Sequence, residues 1–228
     1  MNIREKMIIE NELKFEITAK RDFQKIFKYL DEKYDVIPYK TANMYDYYYD
    51  TEDMVLTNNH IAFRIRYRPQ ISINVKLPSQ SIGYIWSRYE YSSKIDGRIS
   101  TPTPINEIRC NACDVIQKYL GDERFGSLAQ IAIINSFRIG FNVYLKEKNV
   151  VGNKQLLGVA FFDTSINLSN NSKFMEFEME SYQQTDVYAS PYIFDHFNSI
   201  GQQIFDFGIN PSKESKLERT LHIGENAL

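Results

Sequence analysis

The sequence predicts an α+β fold in which an antiparallel β-barrel of about eight strands is closed on itself and flanked by helices. Two observations carry that expectation. One segment after another alternates charged and apolar side chains, with carboxylates and cations sharing a face. Three amphipathic helices are also predicted, and their apolar stripes need a sheet face to cover. If the apolar strand faces look outward to the helices, the charged faces look into a common interior.

The first strand is Ile9 to Ile17, with Glu10, Glu12, Lys14 and Glu16 on one face and Ile9, Leu13, Phe15 and Ile17 on the other. Lys20 to Tyr34 follows with Phe23, Ile26, Phe27 and Leu30 at helical spacing and Thr18 placed to cap it. Tyr45 to Tyr49 is aromatic and strand-like, and Asp50 to Asp53 and Asn58-Asn59 read as turns. In the strand Ile61 to Arg68, Arg64, Arg66 and Arg68 oppose Phe63, Ile65 and Tyr67. Ser72, Asn74 and Lys76 then oppose Ile73, Val75 and Leu77, before Pro78 ends the run. Arg88, Glu90 and Ser92 oppose Tyr89 and Tyr91.

Ser93 to Pro104 is a looser connection, and Ile105 to Leu120 is a second helix closed by Gly121. The strand Ala129 to Leu145 sets Ser136, Arg138, Gly140 and Asn142 against Phe137, Ile139, Phe141 and Val143. Glu147 to Lys154, with Gly152 and Asn153, suits a hairpin tip. Leu156 to Thr164 brings Asp163, and Lys173 to Glu180 brings Glu176, Glu178 and Glu180 opposite Phe177 and Met179. Tyr192 to Phe207 is the third amphipathic helix, stopped by Gly208, and Ser212 to Arg219 is a short helix carrying Lys213 and Lys216. With neither repeat nor linker, residues 1–228 read as a single domain.

Composition narrows the function classes. Lys plus Arg number 27 against 29 Asp plus Glu, which argues against a general nucleic-acid or membrane-surface binder. No stretch approaches the roughly 18 apolar residues of a membrane span, and the first residues lack the apolar core of a signal peptide, so the expected location is cytoplasmic. Cys110 and Cys113 form a C-x-x-C inside the predicted second helix without a second pair to complete a zinc site, and read as packed thiols. His60, His196 and His222 are scattered, with no nucleophile elbow nearby.

The shared polar faces carry the chemistry. Their acids are Glu10, Glu12, Glu16, Glu90, Asp163, Glu176, Glu178 and Glu180; their bases are Lys14, Arg64, Arg66, Arg68, Lys76, Arg88 and Arg138. Buried charge of both signs is costly unless paired or occupied. Guanidinium and ammonium groups suit phosphate oxygens, and clustered carboxylates suit hard divalent cations. A polyphosphate bound together with magnesium or manganese satisfies both halves.

Glu10-x-Glu12-x-Lys14 resembles the E-x-E-x-K signature of the CYTH superfamily, the triphosphate tunnel metalloenzymes. Further matches follow in order: Tyr49-Asp50-Thr51 leading to Phe63-Arg64-Ile65-Arg66, Val75-Lys76-Leu77, Arg88-x-Glu90, Arg138, Asp163, Glu176-x-Glu178-x-Glu180, and Ser215-Lys216-x-x-Arg219. The resemblance implies an antiparallel tunnel that binds triphosphates with Mg2+ or Mn2+. Its members hydrolyse inorganic or thiamine triphosphate, cyclise ATP to cyclic AMP, or extend polyphosphate. By position, Glu10, Glu12, Asp163 and members of the Glu176, Glu178 and Glu180 run would hold metal. Lys14, Arg64, Arg66, Lys76 and Arg138 would grip the phosphates, with Arg88 and either Lys213 or Lys216 at the rim or base. Lys14, Arg64, Arg66 and Glu178 are the catalytic candidates.

Departures from the pattern are Glu16 and Arg68, read as solvated strand ends, and Ser136 and Asn142 flanking Arg138 in place of further bases. The expected activity is a metal-dependent triphosphatase acting on a small-molecule triphosphate, without nucleic-acid or membrane partners. The alternatives are an adenylyl cyclase and a non-catalytic triphosphate- or polyphosphate-binding domain. Whether the chain pairs as a homodimer stays open at this level.

Overall fold

The computed structural model describes residues 2–96, 105, 108–148, 154–183, 191–212 and 214–225. Its strands are β1 Asn2–Ile17, β2 Asp35–Asp50, β3 Ala62–Tyr67, β4 Ile71–Lys76, β5 Gln80–Ile82, β6 Ile85–Asp96, β7 Ala129–Lys148, β8 Lys154–Asn167 and β9 Lys173–Gln183. The helices are α1 Lys20–Lys33, α2 Val55–Asn58, α3 Asn111–Leu120, α4 Asp122–Gly126, α5 Pro191–Asp206 and α6 Lys216–Glu225. The sheet runs β1-β9-β8-β7-β2-β3-β4-β6 and closes where β6 pairs with β1, while β5 hangs on β6 alone. Every pairing is antiparallel, so the result is the closed eight-stranded barrel that the alternation predicts. Among the described residues, no helix is long and apolar enough to cross a membrane.

Closure gives the two strand faces opposite environments. Outward, Leu13, Phe15, Phe177 and Met179 lie beneath Ile26 and Leu30 of α1 and Phe197, Ile200 and Ile204 of α5. On another side, Ile73, Val75 and Ile95 meet Ala112, Cys113 and Ile116 of α3. Full burial of each such aliphatic side chain contributes about 1.5–3 kcal/mol, so the helices hold the barrel wall from outside and leave its interior to polar groups.

Several elements extend beyond their sequence-based limits, for tertiary reasons. β1 begins at Asn2 because residues 2–8 pair with β6, Asn2 opposite Asp96. β2 begins at Asp35, ten residues ahead of the aromatic run, because β7 supplies partners from Tyr144 onward. β5 follows Pro78, where no strand is expected. α3 starts at Asn111, not Ile105: Cys110 caps it, its Sγ accepting the Cys113 amide at 3.4 Å. Both thiols are buried, with their sulfurs 3.3 Å apart. At α1 the cap residue is Ala19, one beyond Thr18, and the Asp22 carboxylate accepts both the Ala19 amide at 3.2 Å and the Thr18 hydroxyl at 3.5 Å. Most of the hairpin tip around Gly152 and Asn153 and most of the connection up to Pro104 lie outside the described residues.

Close packing of α5 on the wall depends on Gly158 of β8. A Cβ there would lie 2.7 Å from the Glu180 carbonyl oxygen and 3.1 Å from the Phe197 ring. Gly158→Ala should therefore destabilise the fold by about 1–3 kcal/mol through overpacking, read as a lower urea midpoint at unchanged m-value. An unaltered midpoint would contradict this account of the contact.

Candidate functional site: a charged tunnel

Parity decides what the tunnel contains. In β1, Glu10, Glu12 and Lys14 point inward, and the register sets Glu12 opposite Glu180 and Lys14 opposite Glu178 of β9. β8 places Asp163 opposite Glu176 on one side and Arg138 of β7 on the other. β3 contributes Arg64 and Arg66, β4 Lys76 and β6 Arg88, all lining one cavity of about 330 Å³. A second cavity of about 280 Å³ reaches Lys14, Lys76 and Arg88 from the side of Trp86 and His60, so these three groups are approached from two directions.

The interior charges sort into three networks. Lys76 Nζ donates to Glu10 Oε2 at 2.8 Å, and Arg88 spans Glu10 at 3.0 Å and Glu12 at 2.6 Å. Burial alone would raise the Glu10 carboxyl, but Lys76 and Arg88 outweigh it and hold that group well below the usual carboxylate range. In the second network, Arg138 makes a two-point contact with Asp163 at 2.8 and 2.6 Å and donates to Glu178. Lys216 Nζ stands 2.9 Å from Asp163 and 3.0 Å from Glu178, and also contacts Glu176. Lys14 lies 3.5 Å from Glu178 and 3.9 Å from Glu176.

The third network contains a residue that the sequence reading passed over. Asp46 of β2 is fully buried; its carboxylate accepts from Arg66 at 2.5 and 2.6 Å and from Arg64 at 3.3 Å. Tyr48 accepts a further Arg64 hydrogen bond at 3.2 Å. The signal was the i, i+2 spacing of Asp46 and Tyr48, hidden within an aromatic run. Asp50 shares their parity, but its carboxylate accepts the Thr51, Leu56 and Thr57 amides at 2.7–2.9 Å and so builds the α2 turn.

The acidic row divides into two clusters. Glu10, Glu12 and Glu180 form one and Asp163, Glu176 and Glu178 the other, with one ligand oxygen per residue lying within 4.8 Å of its fellows in each. The two differ in how far they are compensated. Arg138, Lys216 and Lys14 surround the second, where both Glu176 oxygens lack a hydrogen bond but face the Lys216, Lys14 and Arg219 cations. In the first, Glu12 Oε2 and Glu180 Oε2 are buried without a hydrogen-bond partner, and burial followed by repulsion from Glu10 pushes the Glu180 carboxyl up to about 8.

Two residues outside the main set behave differently from each other. The Glu16 side chain is 53% exposed, the solvated end expected of it. Arg68 is instead half-buried against the larger cavity. Arg219 of α6, part of the tail pattern, comes within 3.8 Å of Glu176. Lys213 lies outside the described residues, whereas Lys216 is turned inward and buried.

Three solved structures share this architecture. HpAC1 from Hippeastrum, described as an adenylyl cyclase candidate with a dominant triphosphatase activity, aligns with a TM-score of 0.64 at 15% identity, covering 93% of this chain and 95% of its own. A Bacillus halodurans protein described as a candidate adenylate cyclase aligns at 0.58 and 17% identity, covering 94% and 97%. The PH1819 protein of Pyrococcus horikoshii aligns at 0.50 and 16% identity, covering 93% and 98%. No curated protein sequence matches this one. The CYTH domain family model matches residues 9–187, which run from the first inward glutamate's neighbour past the last barrel strand, and the chain belongs to the CYTH domain family.

Proposed function

We propose that the protein is a divalent-metal-dependent phosphohydrolase acting on inorganic triphosphate or on a small molecule that bears a triphosphate. One observation carries this reading: the clustered carboxylates Glu10, Glu12 and Glu180, of which the last two each bury an oxygen without a hydrogen-bond partner, lie beside Lys14, Lys76, Arg88 and Arg138 in and around the same tunnel. The dominant triphosphatase activity ascribed to the Hippeastrum neighbour agrees with it.

Glu10, Glu12 and Glu180 fit a hard cation, because Glu12 and Glu180 each bury an unpartnered oxygen and the cluster has a repulsion that such a charge relieves. Magnesium or manganese held there would screen phosphate oxygens and acidify a bound water. That choice narrows the six carboxylates expected from the sequence, since the Lys216 ammonium already stands among Asp163, Glu176 and Glu178.

The remaining roles belong to side chains. Arg64 and Arg66 are pre-aligned by Asp46, so their donors need little reorganisation when they meet phosphate. Lys14, Lys76, Arg88 and Arg138 neutralise charge that develops on the transferred phosphoryl group. Burial opposes ionisation of Glu178, but Lys216, Arg138 and Lys14 outweigh it and keep the carboxylate charged; in that state it accepts a hydrogen bond from the attacking water and orients it. The phosphoanhydride bond breaks as the water oxygen bonds to phosphorus, so no protein nucleophile is required.

Phosphate release from tripolyphosphate with magnesium or manganese should be measurable, and Glu12→Gln should lower kcat/KM by on the order of 100-fold. Full activity in that variant sinks the metal role, and cyclic AMP formed from ATP in place of free phosphate sinks the hydrolase assignment.

A second expectation concerns stoichiometry. Calorimetric titration should find one divalent cation per wild-type chain and two per Lys216→Met chain. The variant's melting temperature should be depressed without metal and restored by it. Two ions in the wild type, or one in the variant, would remove Lys216 as the resident cation.

A third follows from the Glu180 carboxyl. Its proton is held more tightly in the folded chain, near 8, than at the ordinary value of 4.5. The associated stability is therefore complete below about pH 4.5 and is lost as pH rises through 8. Melting temperatures of metal-free protein should fall across that window, and Glu180→Gln should flatten the fall; an equal slope in both proteins excludes this origin.

A further inference from the structure

The interior cations described above are matched by carboxylates, but three at one end of the larger cavity are not. Lys40, Arg68 and Lys94 all line it, and among the described residues no carboxylate lies within ion-pair reach of any of them. The smaller cavity has no such excess: Lys14, Lys76 and Arg88 meet Glu12, Glu214 and Glu218 there. The tunnel is thus electrostatically lopsided, with its uncompensated positive charge at a single mouth.

Lys40 and Lys94 come from separate strands and Arg68 from the turn after β3, and the sheet brings them to the same cavity. Ser72 of β4 pairs with Arg66 on one side and with Lys94 on the other, which sets Lys94 level with Arg66 across the wall. Arg68 lies one residue past the end of β3, in the turn to β4, and lines the cavity together with Arg66. Lys40 arrives through a bulge: β2 pairs Pro38 with Phe141 but Lys40 with Gly140, leaving Tyr39 as the extra residue. Gly140 keeps the space open, since a Cβ there would lie 2.9 Å from the Phe161 ring and 3.3 Å from the Lys40 carbonyl oxygen. That ring stacks 4.1 Å below the Arg138 guanidinium carbon and 5.6 Å from Lys40 Nζ, so the mouth continues directly into the tunnel. Burial and the neighbouring cations push Lys40 down to about 8 and Arg68 down to about 10. An arriving anion relieves both.

We propose that Lys40, Arg68 and Lys94 form an additional anion subsite that receives a phosphate beyond the three held inside, so that linear phosphate chains longer than three are the preferred ligands. The inference rests on the triphosphate reading above, because the subsite opens into the same cavity. An extra phosphate on an inorganic chain and the phosphates of a nucleotide share the relevant chemistry, and the experiment separates them.

Binding of tripolyphosphate, linear pentaphosphate and ATP should be measured by calorimetry without divalent metal, so that no turnover intervenes, for wild type and for a Lys40→Gln/Arg68→Gln/Lys94→Gln variant. The expected result is a wild-type preference of about tenfold or more for pentaphosphate over tripolyphosphate. The variant should lose most of that preference while its tripolyphosphate and ATP affinities change by less than about threefold. Equal weakening towards tripolyphosphate and pentaphosphate overturns the proposal, as does no preference in the wild type. A loss confined to ATP reassigns the mouth to a nucleotide and overturns it too. Failure of the wild type to bind tripolyphosphate both without metal and with magnesium or manganese present removes the underlying triphosphate reading, an outcome distinct from lost preference with tripolyphosphate still bound.

Discussion

Each charged side chain that the strand alternation turns inward loses most of its water, and an uncompensated ion in such an interior costs several kcal/mol. The barrel can place its carboxylates and cations there only by setting them against one another across neighbouring strands. Arg138 against Asp163, Arg66 against Asp46, and Lys76 with Arg88 against Glu10 are the main compensations. Helices on the outer wall make this arrangement tenable, because α1, α3 and α5 satisfy the apolar faces and leave the polar ones nowhere to point but inward.

Compensation is uneven, and the unevenness is where ligand chemistry enters. The cluster of Asp163, Glu176 and Glu178 contains its own cation in Lys216, delivered by the tail helix. Glu12 and Glu180 retain partnerless oxygens, and Lys40, Arg68 and Lys94 have, among the described residues, no carboxylate within ion-pair reach. In the proposed reading these deficits are complementary: a divalent cation answers the first and a phosphate chain the second. In that reading the two ligands are also coupled, since a cation engaging Glu10 and Glu12 would free Lys76 and Arg88 for phosphate oxygens.

Much of the barrel was legible in the residues. The rows Glu10-Glu12-Lys14, Arg64-Arg66 and Glu176-Glu178-Glu180 announce their parity by strict alternation, and parity survives any uncertainty about where a strand begins. Features whose cause is a partner strand were harder to read. Residues 2–8 become strand because β6 lies alongside, and the early half of β2, including Pro38, because β7 does. Asp46 was overlooked because tyrosines surround it. Lys40 was overlooked because only a bulge places it at the tunnel mouth.

By itself the sequence determined that polar and apolar faces alternate, that helices must cover the apolar ones, and hence that a closed sheet with a charged interior results. Those consequences follow from local geometry and from the cost of exposing hydrocarbon. Only the tertiary structure decided which charge meets which. It split one acidic row between two clusters with different cation neighbours, turned Lys216 inward, and gathered Lys40, Arg68 and Lys94 at one end. Those outcomes depend on strand register and on a single bulge, which set distances between residues far apart in the chain, and Coulomb energies in a dry interior change steeply over a few ångströms.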